Sequence, residues 1–301
     1  MSFNIWRITD GKAGHDSQSL GLCSAIAKHI DCNCFDIPAA SCKNNLLNIL
    51  IKRFPAGNDL PDPRLIIGAG HKTHLPMLAA KRARHGKTIV LMKPSLPLSF
   101  FDYCLIPEHD LPPAKSHIIS TAGALNMVEP NHNKDLSHTL MLIGGPSRHY
   151  DWINDKIIEQ IGQITSLDTN KRYTIAGSPR TPEEFYLKLH DLRADNVRIL
   201  SYEQCEKQKL NELISSSGNI WVTEDSISMV FEALSSGANV GLLEVAPKKE
   251  NRLQKSVKSL VNEDLLTPFS SWKKIQKLKT GKIFNEAQRC THILAEMGAF
   301  D

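Results

Sequence analysis

Two domains, each an open α/β layer built on a parallel sheet, are predicted by three features of this chain. Short β-favouring apolar runs alternate with longer amphipathic ones, which is the pattern of strands covered by helices on both faces. The chain has 301 residues, 41% of them hydrophobic, enough for two cores. Glycine-bearing polar turns follow the strands rather than precede them. In open α/β sheets ligands bind at the carboxyl ends of strands, so those turns are where chemistry is expected.

The first strand series reads Asn4–Thr9, Cys34–Ile37, Leu65–Gly68, Thr88–Met92, Tyr103–Ile106 and Ile118–Ser120. The second reads Thr139–Ile143, Arg172–Ile175, Val197–Leu200, Asn219–Val222 and Val240–Leu243. Helical spacing is clearest at Gln18–Ile30, Leu75–His85, Trp152–Ile164, Pro182–Leu192 and Ser228–Ser235. The polar stretch Glu129–Ser137 separates the series and reads as a linker, placing domains at 1–130 and 137–275 with a terminal segment 276–301.

A net charge of +4 is too weak to point to nucleic acid, and suits an anionic substrate or membrane surface. The seven cysteines form no C-x-x-C pair, and Cys32 and Cys34 share one strand face. They read as reduced thiols of a cytoplasmic protein, with no metal ligand set. No D-x-D pair is present, so no metal and no cofactor are expected. Met1–Asp10 lacks a signal-peptide pattern, and no apolar run approaches the ~20 residues of a membrane span.

The most informative stretch is Trp221–Gly237, WVTEDSISMVFEALSSG. A strand leads into a polar turn, Ser226 stands where its hydroxyl would cap a helix, and Gly237 ends that helix. A helix start at a strand's carboxyl end attracts anions through its free amides and dipole. Glu232, six residues on, is placed to accept hydrogen bonds from a ribose diol. Four further turns sit at strand ends: Asp10–His15, Gly68–His71, Gly144–Tyr150 and Gly177–Pro182. None matches a phosphate-binding loop ending in Gly-Lys-Ser/Thr or the dinucleotide G-x-G-x-x-G pattern.

These motifs, with Gly123–Asn126 (GALN), resemble the ELM-type family, which includes a plant protein named for mitochondrial fission and bacterial glycosyltransferase-like members. That family is similar to GT-B glycosyltransferases, such as the enzyme that adds N-acetylglucosamine to a lipid-linked peptidoglycan precursor. The resemblance implies a GT-B fold of two Rossmann-like domains facing a central cleft. The N-terminal domain would hold the acceptor and the C-terminal domain the nucleotide-sugar donor. The last helix, about Lys282–Met297, would pack back towards the N-terminal domain. The implied donor set is Gly145, Ser147, Arg148, Ser178, Arg180, Thr181, Thr223, Asp225, Ser226, Ser228, Met229 and Glu232. The cleft and acceptor set is Asp10, Gly11, Gly14, Gly70, His71 and Lys93. Asp10 and Lys12 replace small residues of the related enzyme's first loop.

Sugar transfer needs a base for the acceptor hydroxyl and positive charge for the leaving diphosphate. His15, in the first loop, is the candidate base, with His71 its competitor, since an imidazole titrates near working pH. Arg180, between two prolines, and Arg148 match phosphate oxygens. The expected activity is metal-independent transfer of a sugar from a nucleotide-diphosphate sugar to an envelope glycolipid. A non-catalytic interaction protein on the same fold and a nucleotide-sugar epimerase are the alternatives. Two segments pair apolar and basic residues as interfacial helices at the inner face of a membrane do, a pattern that core helices with solvated lysines share and more often explain. Leu46–Phe54 is apolar with a basic end. Lys248, Lys249, Arg252, Lys255 and Lys258 lie opposite Leu253, Val257 and Leu260.

Overall fold

The computed structural model describes residues 2–190, 195–249 and 252–301, and only the backbone of Arg252 and Leu253. It divides into two compact units, Met1–Met127 with Asn285–Asp301, and Val128–Phe284.

The first unit is built from β1 (Phe3–Thr9), α1 (Ala13–His29), β2 (Cys32–Pro38), α2 (Asn45–Ile51), β3 (Leu65–Ala69), α3 (His71–Arg84), β4 (Lys87–Leu91), β5 (Tyr103–Pro107) and β6 (Ile118–Thr121). Its sheet has the order β2-β1-β3-β4-β5-β6, parallel throughout. The sheet is buried on both faces. Ile5, Leu65, Ile67, Ile89 and Leu91 pack with Leu22 and Ile26 of α1. Trp6, Ile8, Ile66 and Val90 pack with Met77 and Ala80 of α3.

The second unit holds β7 (Asp135–Ile143), β8 (Tyr150–Asp151), α4 (Asn154–Leu167), β9 (Arg172–Gly177), α5 (Glu183–His190), β10 (Val197–Leu200), α6 (Lys207–Ser216), β11 (Ser217–Thr223), α7 (Ile227–Ser235), β12 (Asn239–Leu243), β13 (Ala246–Pro247), α8 (Arg252–Asn262), β14 (Thr267–Pro268) and α9 (Phe269–Ile275). The main sheet order, β10-β9-β7-β11-β12-β14, is the doubly wound order. One core joins Met141, Ile143, Ile157, Ile161, Phe185, Trp221 and Trp272. The final helix, α10 (Glu286–Glu296), buries Ala287, Cys290 and Leu294 in the first unit's core.

The polar stretch 129–137 is not wholly a linker, because β7 begins inside it at Asp135. Residues 276–284 stay with the second unit. Lys279 N donates to Thr267 Oγ1 at 3.0 Å, Gly281 N to Asn239 Oδ1 at 2.8 Å, and Phe284 stacks on Phe231 at 5.6 Å. Helix α1 starts at Ala13, five residues before the apolar spacing begins. The Asp10 carboxylate accepts from Lys12 N at 3.1 Å, and Gly11 takes φ +76°, which turns the chain directly into the helix. His15 is therefore in the first turn of α1 rather than in a loop. Similarly α3 starts at His71 instead of Leu75. The last residues of the expected helix Pro182–Leu192 lie outside the described residues.

Candidate active site

Each sheet has one place where the strand order reverses, between β1 and β3 and between β7 and β11. Helices there leave on opposite faces, which opens a crevice at the strands' carboxyl ends. Most of the expected site residues lie at or beside these two points, and Lys93, after β4, does not.

In the first unit His15 Nδ1 lies 2.9 Å from Asp10 Oδ2. The Asp10 side chain is fully buried and the imidazole is 19% exposed. Burial pushes the Asp10 carboxyl up, but bonds from His15 and the Lys12 amide outweigh it and hold it below its usual range. A carboxylate accepts, so Nδ1 carries the hydrogen, and in the neutral imidazole Nε2 is the nitrogen that can accept a proton. Gly70 closes the other side, with φ +86°. A Cβ on Gly70 would lie 2.3 Å from His15 Nδ1, so no other residue fits against the pair. Gly11 and Gly14 have open space around them. His71 is exposed at the start of α3. Lys93 donates to the Asp110 carbonyl at 3.0 Å. Among the described residues neither of these two makes a hydrogen bond or ion pair with Asp10 or His15.

In the second unit the turns after β7, β9 and β11 are tied together. Gly144 N donates to Thr223 Oγ1 at 2.8 Å and Gly145 N to Asp225 Oδ2 at 3.1 Å. Ser178 Oγ and Thr181 Oγ1 reach the Gly144 carbonyl at 3.0 and 2.6 Å. Arg180 pairs with Asp225 at 2.8 Å and donates to the Gly145 carbonyl at 2.8 Å. Arg180 thus braces the loop with N–H groups that the sequence reading aims at phosphate. A Cβ on Gly144 would lie 2.3 Å from the Asp225 carboxylate, and one on Gly145 2.0 Å from the Arg180 carbonyl. Ser147 Oγ accepts from the amides of His149 and Tyr150. Arg148 is exposed beside it.

Ser226 occupies the N-cap position of α7, but its hydroxyl accepts no capping bond. The turn forms without it, because Val230 N reaches the Ser226 carbonyl at 3.1 Å. The amides of Ile227, Ser228 and Met229 precede that first bond and have no intrahelical partner. Glu232 lies four residues after Ser228 and three after Met229, on their face of the helix. Burial pushes its carboxyl up to about 7 against the opposing charge of Lys207. Glu232 is thus a desolvated carboxyl on the helix face of Ser228 and Met229.

Two residues were not legible as site members. Burial, and then the charges of Glu244 and Asp225, push the Glu224 carboxyl up to about 7, although the Val245 amide and Lys258 oppose them. The Tyr150 hydroxyl is buried with no hydrogen-bond partner among the described residues. Burial raises it, with Glu224 and Asp225 adding to the effect. Glu224 stands in the open in the run Thr223–Asp225, whereas Tyr150 carries no local signal. Among the described residues no group of three His, Cys, Asp or Glu side chains could hold a metal ion. All seven cysteines are free.

The family model described as mitochondrial fission ELM1 matches residues 13–297. This chain belongs to the ELM1 family. The ELM1-family chain is 24% identical to the uncharacterized protein RP120 of Rickettsia prowazekii (strain Madrid E), over 97% of each chain. Among solved structures it is similar to a UDP-N-acetylglucosamine 2-epimerase, with TM-score 0.60, 12% identity, and 99% and 97% of the two chains covered. It is also similar to the UDP-GlcNAc 2-epimerase of Neisseria meningitidis bound to UDP-GlcNAc, with TM-score 0.54, 12% identity, and 98% and 100% covered. At such identity these likenesses speak for the fold. That fold is GT-B, common to glycosyltransferases and these epimerases.

Proposed function

We propose that this ELM1-family chain is a glycosyltransferase that moves a sugar from a nucleotide-diphosphate donor to a hydroxyl of an envelope glycolipid. The observation that carries the reading is the Asp10–His15 pair, an imidazole held by a buried carboxylate at a sheet switch point. His15 Nε2 takes the proton of the acceptor hydroxyl as its oxygen bonds to the sugar carbon. The carbon–oxygen bond to the diphosphate breaks in the same displacement. Asp10 fixes the tautomer and stabilises the imidazolium that forms. The amides of Ile227, Ser228 and Met229, with the α7 dipole, receive the charge developing on the diphosphate. Glu232 accepts from the ribose hydroxyls. The α7 dipole and its free amides stand in for a metal. The glycolipid acceptor rests on the family resemblance to the peptidoglycan-precursor enzyme.

A thermal-shift panel of UDP-, GDP-, ADP- and CMP-sugars identifies the donor, because a ligand bound only to the native state raises its melting point. The selected donor is then incubated with an envelope lipid extract. Radiolabel passing into the lipid fraction, lost in His15→Ala, supports transfer. The neighbouring epimerases give the second reading its weight. An epimeric nucleotide sugar formed with no acceptor present replaces the proposal with that reading. No melting shift with any donor leaves an interaction protein on a GT-B fold.

A further inference from the structure

We infer that α2 is an interfacial anchor that lays the first unit on an anionic phospholipid surface. This short helix leaves most of its apolar side chains in solvent: Leu46 is 68% exposed, Leu47 53%, Leu50 79% and Ile51 48%. Soluble surfaces scatter apolar residues singly, and a contiguous patch marks an interaction surface. The patch continues into a groove of about 420 Å³ between α2 and α3, lined by Ile49, Leu78 and Phe100 among others, with Phe100 itself 48% exposed.

Charge identifies the occupant. Residues 37–58 hold Lys43, Lys52 and Arg53 and no Asp or Glu. All three cations are exposed, as is Arg82 beside the groove. None of the four makes an ion pair among the described residues, whereas Lys81, in the same groove, is paired with Asp102. An apolar face ringed by cations without counter-charges matches the acyl–headgroup boundary of an anionic bilayer. Local bonds and turns set which side of the helix meets the protein. Asn48 is buried and donates to the Lys43 carbonyl at 2.8 Å, and both flanking residues, Asn44 and Lys52, take φ +55°.

Helix α8 has the same apolar and basic ingredients and resolves the other way. Val257 and Leu260 are buried, and Lys255 and Lys258 point to solvent. Its apolar face belongs to the core. The side chains of Arg252 and Leu253 lie outside the described residues.

The test is sedimentation of the whole protein with unilamellar vesicles, in the absence of nucleotide, so that its outcome is independent of catalysis. Binding is expected to vesicles of phosphatidylcholine with phosphatidylglycerol and not to phosphatidylcholine alone, and to weaken as salt rises. Lys52→Gln/Arg53→Gln should lower partitioning roughly 30-fold, and Leu47→Ser/Leu50→Ser at least about tenfold. These side chains are exposed, so the melting temperature should hold, and circular dichroism checks it. Lys255→Gln/Lys273→Gln, the same charge change on the second unit, should leave binding intact. Equal binding to neutral vesicles, no binding to anionic ones, or full binding by the leucine variant overturns the proposal. So does concentration-dependent dimerisation lost in the leucine variant without any vesicle binding, which would make the occupant a second copy of the chain.

Discussion

The turns after β1 and β7 sit at equivalent switch points of two parallel sheets, yet they use their polar groups differently. After β1 a buried carboxylate is committed to one imidazole, and the imidazole keeps a free nitrogen. After β7 the charged groups are committed to each other, Arg180 to Asp225 and both to the Gly145 peptide. What remains available there is backbone, at the start of α7. The first arrangement suits proton transfer, which needs a side chain that changes charge. The second suits binding of a phosphate, which needs fixed donors that do not. One topology thus supports a reactive side chain in one unit and a rigid cradle in the other.

The contrast breaks most sharply at His15. His15→Ala should lower the transfer rate by about 10²–10⁴-fold and leave nucleotide affinity unchanged in calorimetric titration. His71→Ala should do less, since among the described residues His71 makes no hydrogen bond or ion pair with Asp10 or His15. A reversed order would move the base to His71.

The cradle is tested at Asp225, whose side chain is fully buried. Asp225→Ala strands the Arg180 guanidinium and the Gly145 amide, and should cost about 3 kcal/mol in denaturant unfolding. Arg180→Ala should cost at least as much, because it strands a fully buried carboxylate, whereas the Arg180 side chain is 39% exposed and can turn to water. A smaller cost would mean that Asp225 takes up a proton once its partner is removed.

Glu232 sharpens the comparison through pH. Its carboxyl titrates near 7 in the folded protein, above the ordinary glutamate value. The folded state therefore holds a proton that the unfolded state has lost. The resulting stabilisation is complete below about pH 4.5 and disappears as pH rises through about 7. Glu224 acts in the same window and direction. Glu232→Gln should flatten part of this decline and raise the melting temperature at pH 8 by about 2–4 °C. Nucleotide affinity should run the opposite way in the wild type, rising through pH 7 as the acceptor carboxylate forms. Glu232→Ala should weaken nucleotide binding about 10- to 150-fold. Unchanged affinity in a folded variant would place the ribose elsewhere.

The smallest expected effect is that of chelation. EDTA should leave transfer unchanged, since the α7 amides and dipole carry the charge in this reading. Loss of activity restored by manganese would overturn that electrostatic account.

The strand–helix alternation, most strand positions and the two-unit division were legible in the amino-acid chain, because strand and helix periodicities and glycine turns are local patterns. Helix starts were less so. Apolar spacing begins at Gln18, whereas the backbone turns at Gly11 and the helix already contains His15. Likewise Ser226 has the residue type of a cap without making the bond. The carboxylate partner of His15 lies within five residues, but its burial depends on β1 and the Gly70 turn, which come from different parts of the chain.

Local sequence determined which residues share a face and which turns follow which strands. Tertiary structure decided what each face meets. Segments α2 and α8 pair apolar and basic residues alike, yet Leu50 stands in solvent and Leu260 in the core. Glu232 and Arg180 both read as donor-site side chains in the sequence, yet one is desolvated and the other braces a loop. The physical reason is that burial and pairing energies depend on atoms brought from distant positions, which no short window of sequence contains.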